Sequence, residues 1–300
     1  MKDSIHSDLK PLVSIIISVY NQLEYTKKCL LKIEKTLARK IIYEVIIIDD
    51  CSNQETVNFL KNLKKPYRVY FNDSNKGFAT NNNYAASNAN GDYLCFLNND
   101  VFVQDDWLVP MIDVFKKEKN VGIVGNVQKL ANSIRYDHMG IVFSPQGNPR
   151  HYGQGFLYRP FKGQVKRWSA VTAACCLIKK DLFLEVGGYD EIYVNGCEDV
   201  DLCLRISSKG YFHYIVHDSV VRHIKGASEG RKLHNRKNEQ ILLNRWAKRI
   251  VSNESVQDQK KHAWTYFCRL FFKPGTINLI KWINSIKILL NFKKLTNIKF

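Results

Sequence analysis

Several familiar signatures are missing from this 300-residue chain, and each absence narrows what the chain can be. Nowhere do about 18 uncharged apolar residues run together, so no membrane-crossing helix is expected. The polar start Met1–Lys10 lacks the apolar centre of a signal peptide, and secretion is not expected. The eight cysteines form no CxxC and no regular spacing. Several of them (Cys95, Cys175, Cys176) sit inside apolar runs, where a free thiol packs as a small hydrophobe and a reducing cytoplasm fits. No GxGxxG follows a strand and no GxxxxGK precedes Ser or Thr, so neither loop that usually cradles phosphates is available. Acids are scarce as well: 28 Asp and Glu stand against 45 Lys and Arg, a net charge of +17. Residues 251–300 alone hold nine bases and two acids. That balance suits either an anionic partner or simple solvation of a sticky surface. No stacking sheet or basic-aromatic motif for RNA is visible, and no nucleic-acid partner is expected.

What is present is an alternation. "LVSIIISV" (12–19) is a continuous β-branched run, as expected of a parallel strand covered on both faces. A helical stretch over about 24–38 follows, then strand 43–49, helix 53–63, strand 67–71, helix 78–89 and strand 93–97. Helix 105–117 and strand 121–125 extend the series. The fold class predicted is α/β, with a mostly parallel central sheet flanked by helices. Between 126 and 170 the pattern dissolves into Gly, Pro, Asn and aromatic residues, which reads as a mobile or acceptor-facing region. Order returns with a strand in 170–178, a helix from Lys180, a helix from Glu198, strand 212–216 and a basic helix over 234–249. The division expected is an N-terminal extension (1–11), a main domain (12–250) with halves at 12–125 and 126–250, and a basic tail (251–300). The tail mixes aromatics and aliphatics with single lysines. It fits an accessory helical layer packed on the domain, or a helix lying on an anionic membrane surface.

In an open parallel sheet, ligands bind beyond the carboxyl ends of the strands. Three polar clusters fall there: Asn21 after the first strand, Asp49-Asp50 after the second, and Asn98-Asn99-Asp100 after the fourth. Ser52 and Asn53 are expected to cap the next helix. A diphosphate beside carboxylates needs an intervening cation, and Mg2+ or Mn2+ takes oxygen ligands. Asp100 is the natural ligand, with Asn99 adding a neutral oxygen directly or through water; the alternative is that Asp100 only caps a turn.

The blocks "VSIIISVYNQLEY", "VIIIDDCSNQET", "NDSNKGFATNNNYAA", "GDYLCFLNNDVFVQDDWL" and "FLEVGGYDEIYVNGCEDVDLCLR" resemble, in order and over about 12–225, those of family 2 inverting glycosyltransferases. The resemblance implies a GT-A, Rossmann-like fold that holds a nucleotide-diphospho-sugar across the strand ends. By it Asp50 accepts the pyrimidine N3–H, which uracil and thymine offer and neutral cytosine does not, pointing to UDP or dTDP. Ser18 and Tyr20 match positions on the base side; Asn75, Gly77, Phe78 and Asn83 match the block lining nucleotide and sugar, although Asn75 is equally a turn or capping residue. "NND" occupies the place of the metal-binding DxD, with Asn98 departing from the strict form and Asp100 retained.

The last block implies the base. Glu198, Asp199 and Asp201 open a helix, where a helix dipole also favours acids. Asp201 and Arg205, at i,i+4, are expected to pair structurally. Asp199 is then the candidate catalytic base and Glu198 its reserve. "VVRHIKGAS" matches a segment in which a histidine joins the metal, so His223 is a candidate ligand, with phosphate contact and an ordinary loop histidine as alternatives. Lys225 and Arg231 stand close enough in sequence to help neutralise a diphosphate. Cys197, Cys203, His213 and His217 fit no tetrahedral zinc spacing. Tyr152, Phe156, Tyr158, Phe161 and Trp168 either stack on sugar rings or fill a core. The acceptor implied is a growing bacterial surface glycan, lipid-linked and met at the inner face of the cytoplasmic membrane. A sugar nucleotidyltransferase on a similar fold and a basic nucleic-acid binder are the competing readings. The first lacks its Gly-rich basic loop after the first strand.

Overall fold

A computed structural model describes residues 10–37, 40–144, 147–224, 234–272 and 274–291. The first half alternates as expected: β1 (Val13–Val19), α1 (Leu23–Leu37), β2 (Tyr43–Asp49), α2 (Gln54–Lys61), β3 (Tyr67–Phe71), α3 (Gly77–Ser87) and β4 (Tyr93–Leu97). Strands β3, β2, β1 and β4 lie side by side and parallel. Alternation along β1 explains why Ile15, Ile16 and Ile17 are all apolar at its centre. Val13, Ile15, Ile17 and Val19 enter one layer with Leu30, Ile33 and Leu37 of α1, while Ile16 joins the opposite layer with Ala85 and Ala86 of α3. Both faces of a parallel sheet are covered, so both sets must be apolar. Helix α2 starts where Asn53 Oδ1 accepts the Thr56 amide at 3.0 Å, a side-chain cap of the expected kind.

The second half comprises β5 (Val101–Val103), α4 (Val109–Lys117), β6 (Val121–Leu130), β7 (Tyr136–His138), β8 (Ile141–Phe143), β9 (Pro149–His151), β10 (Val165–Trp168), β11 (Cys175–Lys179), α5 (Lys180–Glu185), α6 (Glu198–Ser208) and β12 (Phe212–His223). The sheet order is β10-β12-β6-β11-β4-β1-β2-β3, with β5 added on β12 and β7 on β6. The parallel run is interrupted at β11, which lies antiparallel to both β4 and β6, and resumes where β12 pairs parallel with β6. Several boundaries depart from the sequence reading, β6 among them, expected over 121–125 and running to Leu130. Helix α4 begins at Val109 and not near 105, since Asp106 takes a left-handed φ of 54° while Trp107 and Leu108 turn into the core. Strand β12 runs to His223 and not 216, because a register shift between Val216 and Val220 lets it bend and continue along β6. The strand expected over 170–178 starts at Cys175, and 172–174 remain irregular.

The described residues of 126–170, read as mobile or acceptor-facing, are built into the body of the protein. Met139, Ile141, Val142 and Phe143 are fully buried or nearly so. Its aromatics fill a core: Tyr152 lies 4.9 Å from Trp168 and 5.7 Å from Phe156 between ring centroids, and Phe161 lies 6.1 Å from Trp168. Tyr158 is the exposed member of the group.

Three long helices follow: α7 (Asn235–Arg249), α8 (Ser255–Phe272) after a π-type turn at Ile250–Glu254, and α9 (Leu279–Leu289). Helix α8 closes over the aromatic core. Asp258 Oδ2 accepts the Phe143 amide at 3.0 Å, Ser255 Oγ donates to the Ser144 carbonyl at 3.1 Å, and Lys261 Nζ stands 4.4 Å over the Trp168 ring. No helix among the described residues is long and apolar enough to cross a membrane.

Candidate active site

A cleft of about 460 Å³ opens beyond the carboxyl ends of β1, β2 and β4. Its floor begins with Ser18 and Tyr20 at the end of β1, followed by Asn21 and Gln22, both with left-handed φ (56° and 57°). Asn21 ties the first loop to the second, accepting the Asn53 amide at 2.8 Å and donating its own amide to Ser52 Oγ at 2.8 Å. Ser52 thus braces loops as well as preceding a helix.

Asp50 is buried at the wall, held by three donors. The amides of Lys76 and Gly77 reach it at 2.7 and 3.0 Å, and Asn72 Nδ2 at 3.0 Å. Gly77 makes this approach available: its φ of +82° is a conformation side chains resist. A carboxylate offers about four acceptor positions, so three donors orient Asp50 and leave room for one more. Asn81 continues the chain of contacts, accepting from Asn72 at 2.7 Å and donating to Ser18 Oγ at 3.0 Å. Asn75, Gly77 and Phe78 line the cleft beside Asp50.

The "NND" turn forms the middle of the wall. The Asn98 amide bonds the Ala174 carbonyl at 3.0 Å, the Val101 amide returns to the Asn98 carbonyl at 3.1 Å, and Asn99 Nδ2 reaches Thr26 Oγ1 at 3.0 Å. All three residues line the cleft. Asp100 is the hinge from β4 into β5, and β5 pairs antiparallel with the end of β12 so that Val101 faces His223. His223 Nε2 then lies 3.4 Å from Asp100 Oδ2. Asp100 Oδ1 and both His223 ring nitrogens are buried without hydrogen-bond partners. A carboxylate and an imidazole side by side, each with atoms left unpartnered, are a donor set that suits Mn2+. The described residues bring no third His, Cys, Asp or Glu to them. That fits an ion of this kind, which usually keeps one or two protein ligands and completes its shell with phosphate oxygens and water.

A further part of the wall is the start of α6. Asp199 Oδ1 accepts the Val200 amide at 2.8 Å and Oδ2 the Ala173 amide at 3.1 Å; Glu198 accepts from the Gly196 amide. Both carboxylates line the same cleft as Asp100. Asp201 points away from it and is fully buried, bonded to Arg205 Nε (2.7 Å), Arg245 Nη1 (2.9 Å), Trp246 Nε1 (2.8 Å) and the Tyr193 hydroxyl (3.2 Å). The Asp201–Arg205 pair forms as expected, and the added bonds to Arg245 and Trp246 lock α6 and α7 together. Thr172, Ala173, Ala174 and Asn195 also line the cleft. The sequence reading missed them, and only the small side chains at 173 and 174, which let a backbone amide reach Asp199, hinted at it.

Asn83 and His223 stand outside the cleft lining. Asn83 is not part of the cleft wall; its side chain clamps the backbone of Tyr189, donating to the carbonyl and accepting from the amide, both at 2.8 Å. With both ends of its amide engaged, it braces α3 against the 188–191 loop. His223 does not reach the cleft wall either and stands beside Asp100 in the interior. Cys197, Cys203, His213 and His217 form no metal cluster. His213 instead bonds the Ile123 amide at 3.1 Å, and its Nε2 lies 2.9 Å from the Cys203 carbonyl. No lysine or arginine lines the cleft among the described residues, and Lys225 and Arg231 lie outside them.

The fold is shared with known structures. A crystal structure of GalNAc-T7 with UDP, GalNAc and Mn2+ superposes with a TM-score of 0.66 over 85% of this chain and 52% of that one, at 18% identity. In sequence, the O-antigen biosynthesis protein RfbC of Myxococcus xanthus is 30% identical over 56% of this chain and 14% of its own length. The rhamnosyltransferase WbbL of Escherichia coli is 28% identical over 68% of this chain and 80% of its own. The chain spans a quarter or less of the length of long relatives such as RfbC. The model of Glycosyl transferase family 2 matches residues 14–187, more than half of the chain and every cleft-lining residue except Asn195, Glu198 and Asp199, and the protein belongs to that family.

Proposed function

We propose that the protein transfers a sugar from a UDP- or dTDP-sugar to a hydroxyl group of a glycan acceptor, with inversion at the anomeric carbon. The observation that carries this reading is that Asp100 and Asp199 line one cleft. Residues 12–125 hold the donor in this reading and residues 126–250 the acceptor. Ser18, Tyr20 and Asp50 take the base, with the free acceptor position of Asp50 receiving the pyrimidine N3–H. Asn75, Gly77, Phe78, Asn98 and Asn99 flank the sugar and diphosphate.

Asp100 and His223 are the residues that would hold Mn2+ or Mg2+. When bound, such an ion offsets diphosphate charge that the carboxylates of the cleft would otherwise repel. The likeness to GalNAc-T7, whose crystal structure holds UDP and Mn2+ together, supports the same pairing. Asp199 removes the proton of the acceptor hydroxyl as that oxygen bonds the anomeric carbon and the bond to the diphosphate oxygen breaks on the far side. The amides of Ala173 and Val200 hold its carboxylate in place for this, and Glu198 stands next to it. A single displacement inverts the centre; two carboxylates flanking the bond, as a hydrolase needs, are not required. The likeness to RfbC, an O-antigen biosynthesis protein, and to the rhamnosyltransferase WbbL supports an acceptor among bacterial surface polysaccharides. A lipid-linked acceptor presented at the inner face of the cytoplasmic membrane fits that class.

The test is a melting-temperature screen of UDP-, dTDP- and GDP-sugars with and without Mn2+, followed by transfer or donor hydrolysis with the best ligand. A rise in melting temperature that needs both nucleotide sugar and Mn2+ supports the reading. No rise with any donor overturns it.

A further inference from the structure

Helix α9 is held at a fixed attitude on the end of α8. Its N-cap Asn278 accepts the Lys281 amide at 3.1 Å and passes its own amide to the Tyr266 hydroxyl at 3.1 Å. Trp282 stacks on Phe267 with centroids 5.7 Å apart and donates Nε1–H to the Phe267 carbonyl at 3.3 Å. Ser285 and Ile288 are buried on that inner side. The outer side carries Leu279, Ile280, Ile283 and Leu290, exposed to 67, 72, 41 and 57%. At 3.6 residues per turn these four, with Lys287 among them, span an arc of about 100°. Phe271, at the end of α8, is exposed as well and packs edge-on against Phe267. Large apolar side chains gathered on one exposed face mark an interaction surface.

The charge around this face selects its partner. The two acids of the tail, Glu254 and Asp258, are both buried, and burial pushes both carboxyl groups above their ordinary range. Lys260, Lys281 and Lys287 are exposed, so the charge this stretch shows to solvent is of one sign. A second copy of the chain would bring the same positive face against itself in a molecule already at +17. An acidic lipid surface complements it instead. With 11 residues, α9 is about 16 Å long, half of a bilayer core, so it can lie in an interface but not cross one.

We propose that the outer face of α9, with Phe271 beside it, docks the protein on an anionic bilayer, Leu279, Ile280, Ile283 and Leu290 entering the headgroup boundary and Lys287 meeting lipid phosphates. The membrane-side location belongs to the function proposed above, on which this inference rests for its purpose; the surface itself does not depend on which sugar is moved.

Flotation of the full chain with phosphatidylcholine vesicles, with and without phosphatidylglycerol, tests it. The expected result is binding only where phosphatidylglycerol is present, weakening as salt rises. Ile280→Ser with Ile283→Ser should lower binding on the order of tenfold, and Lys287→Glu about fivefold or more. Leu184→Ser, an exposed leucine on α5, should change nothing. Equal binding by the α9 variants, equal binding to both vesicle types, or retention on RNA without vesicle binding overturns the proposal. Donor hydrolysis by the same α9 variants should stay at the level of the unmodified protein, so failure of the docking surface and failure of the transfer reading give different results.

Discussion

His223 Nε2 stands 3.4 Å from Asp100 Oδ2 because β5 and β12 pair antiparallel immediately beyond Asp100, with the Ile224 amide bonding the Asp100 carbonyl at 3.0 Å. The contact is imposed by strand register. Two neighbouring residues of a strand point to opposite faces, so a slip of one position would turn His223 away altogether.

The first prediction concerns this pair. UDP with Mn2+ at about a hundred times its dissociation constant should stabilise the protein by about 2.7 kcal/mol. Asp100→Ala should abolish that gain. His223→Ala should reduce it for Mn2+ more than for Mg2+, since imidazole nitrogen suits the softer ion. Melting curves with each ion, nucleotide present and absent, provide the measurement.

Asp199→Asn keeps the shape of the side chain and removes its basicity. Turnover should fall by about 10²–10⁴ while the nucleotide dissociation constant stays within a factor of a few. Steady-state transfer and calorimetric titration separate the two. Normal turnover would move the base to Glu198 or elsewhere.

Asp201→Ala should act on stability instead. Removing one partner of a buried ionic cluster costs about 3–5 kcal/mol, here because Arg205 and Arg245 lose a shared carboxylate with no exposure to solvent. The denaturant midpoint should drop accordingly.

Asn83→Ala leaves the buried Tyr189 amide without an acceptor, at a cost of about 1–3 kcal/mol. Donor affinity, read by titration of the nucleotide sugar, should change little, since Asn83 does not line the cleft. A selective loss of donor binding would return Asn83 to the site.

Acid sensitivity should trace partly to His213. Burial lowers its value from the ordinary 6.5 to about 4. Below 6.5 the unfolded chain takes up a proton that the folded one refuses, so stability contributed by the neutral ring is present above that pH and is lost as pH falls towards 4. Between those two values the unfolding free energy should change by on the order of 1 kcal/mol per pH unit from this group. Denaturant titrations at pH 5 and pH 7 check it, and in His213→Asn the slope should shrink.

The parallel half was legible because its strands are long, apolar and separated by helices with period 3.6. β1, β2 and β4 each announce themselves, and the polar residues at their ends can serve only a site or a cap. Asp50 and Asp100 were readable for that reason, Asp199 through the family resemblance of its block, and the structure brings all three to one cleft. The 126–170 segment was not legible. Its strands β7, β8 and β9 have three residues each, too few for any period to show, and they are held by partners distant in sequence such as Phe143 with Asp258. The contacts of Asn83 were not legible for a different reason. It stands among three consecutive asparagines on α3, and composition does not say that position 81 faces Ser18 while position 83 faces Tyr189.

Helix α8 lends the Asp258 carboxylate to a strand amide and shelters Trp168 beneath a lysine. A shortened chain ending at residue 250 would therefore leave an open wound beside β8: a bare indole and an amide with no acceptor. Any truncation meant to probe membrane attachment should spare this helix and remove α9 alone.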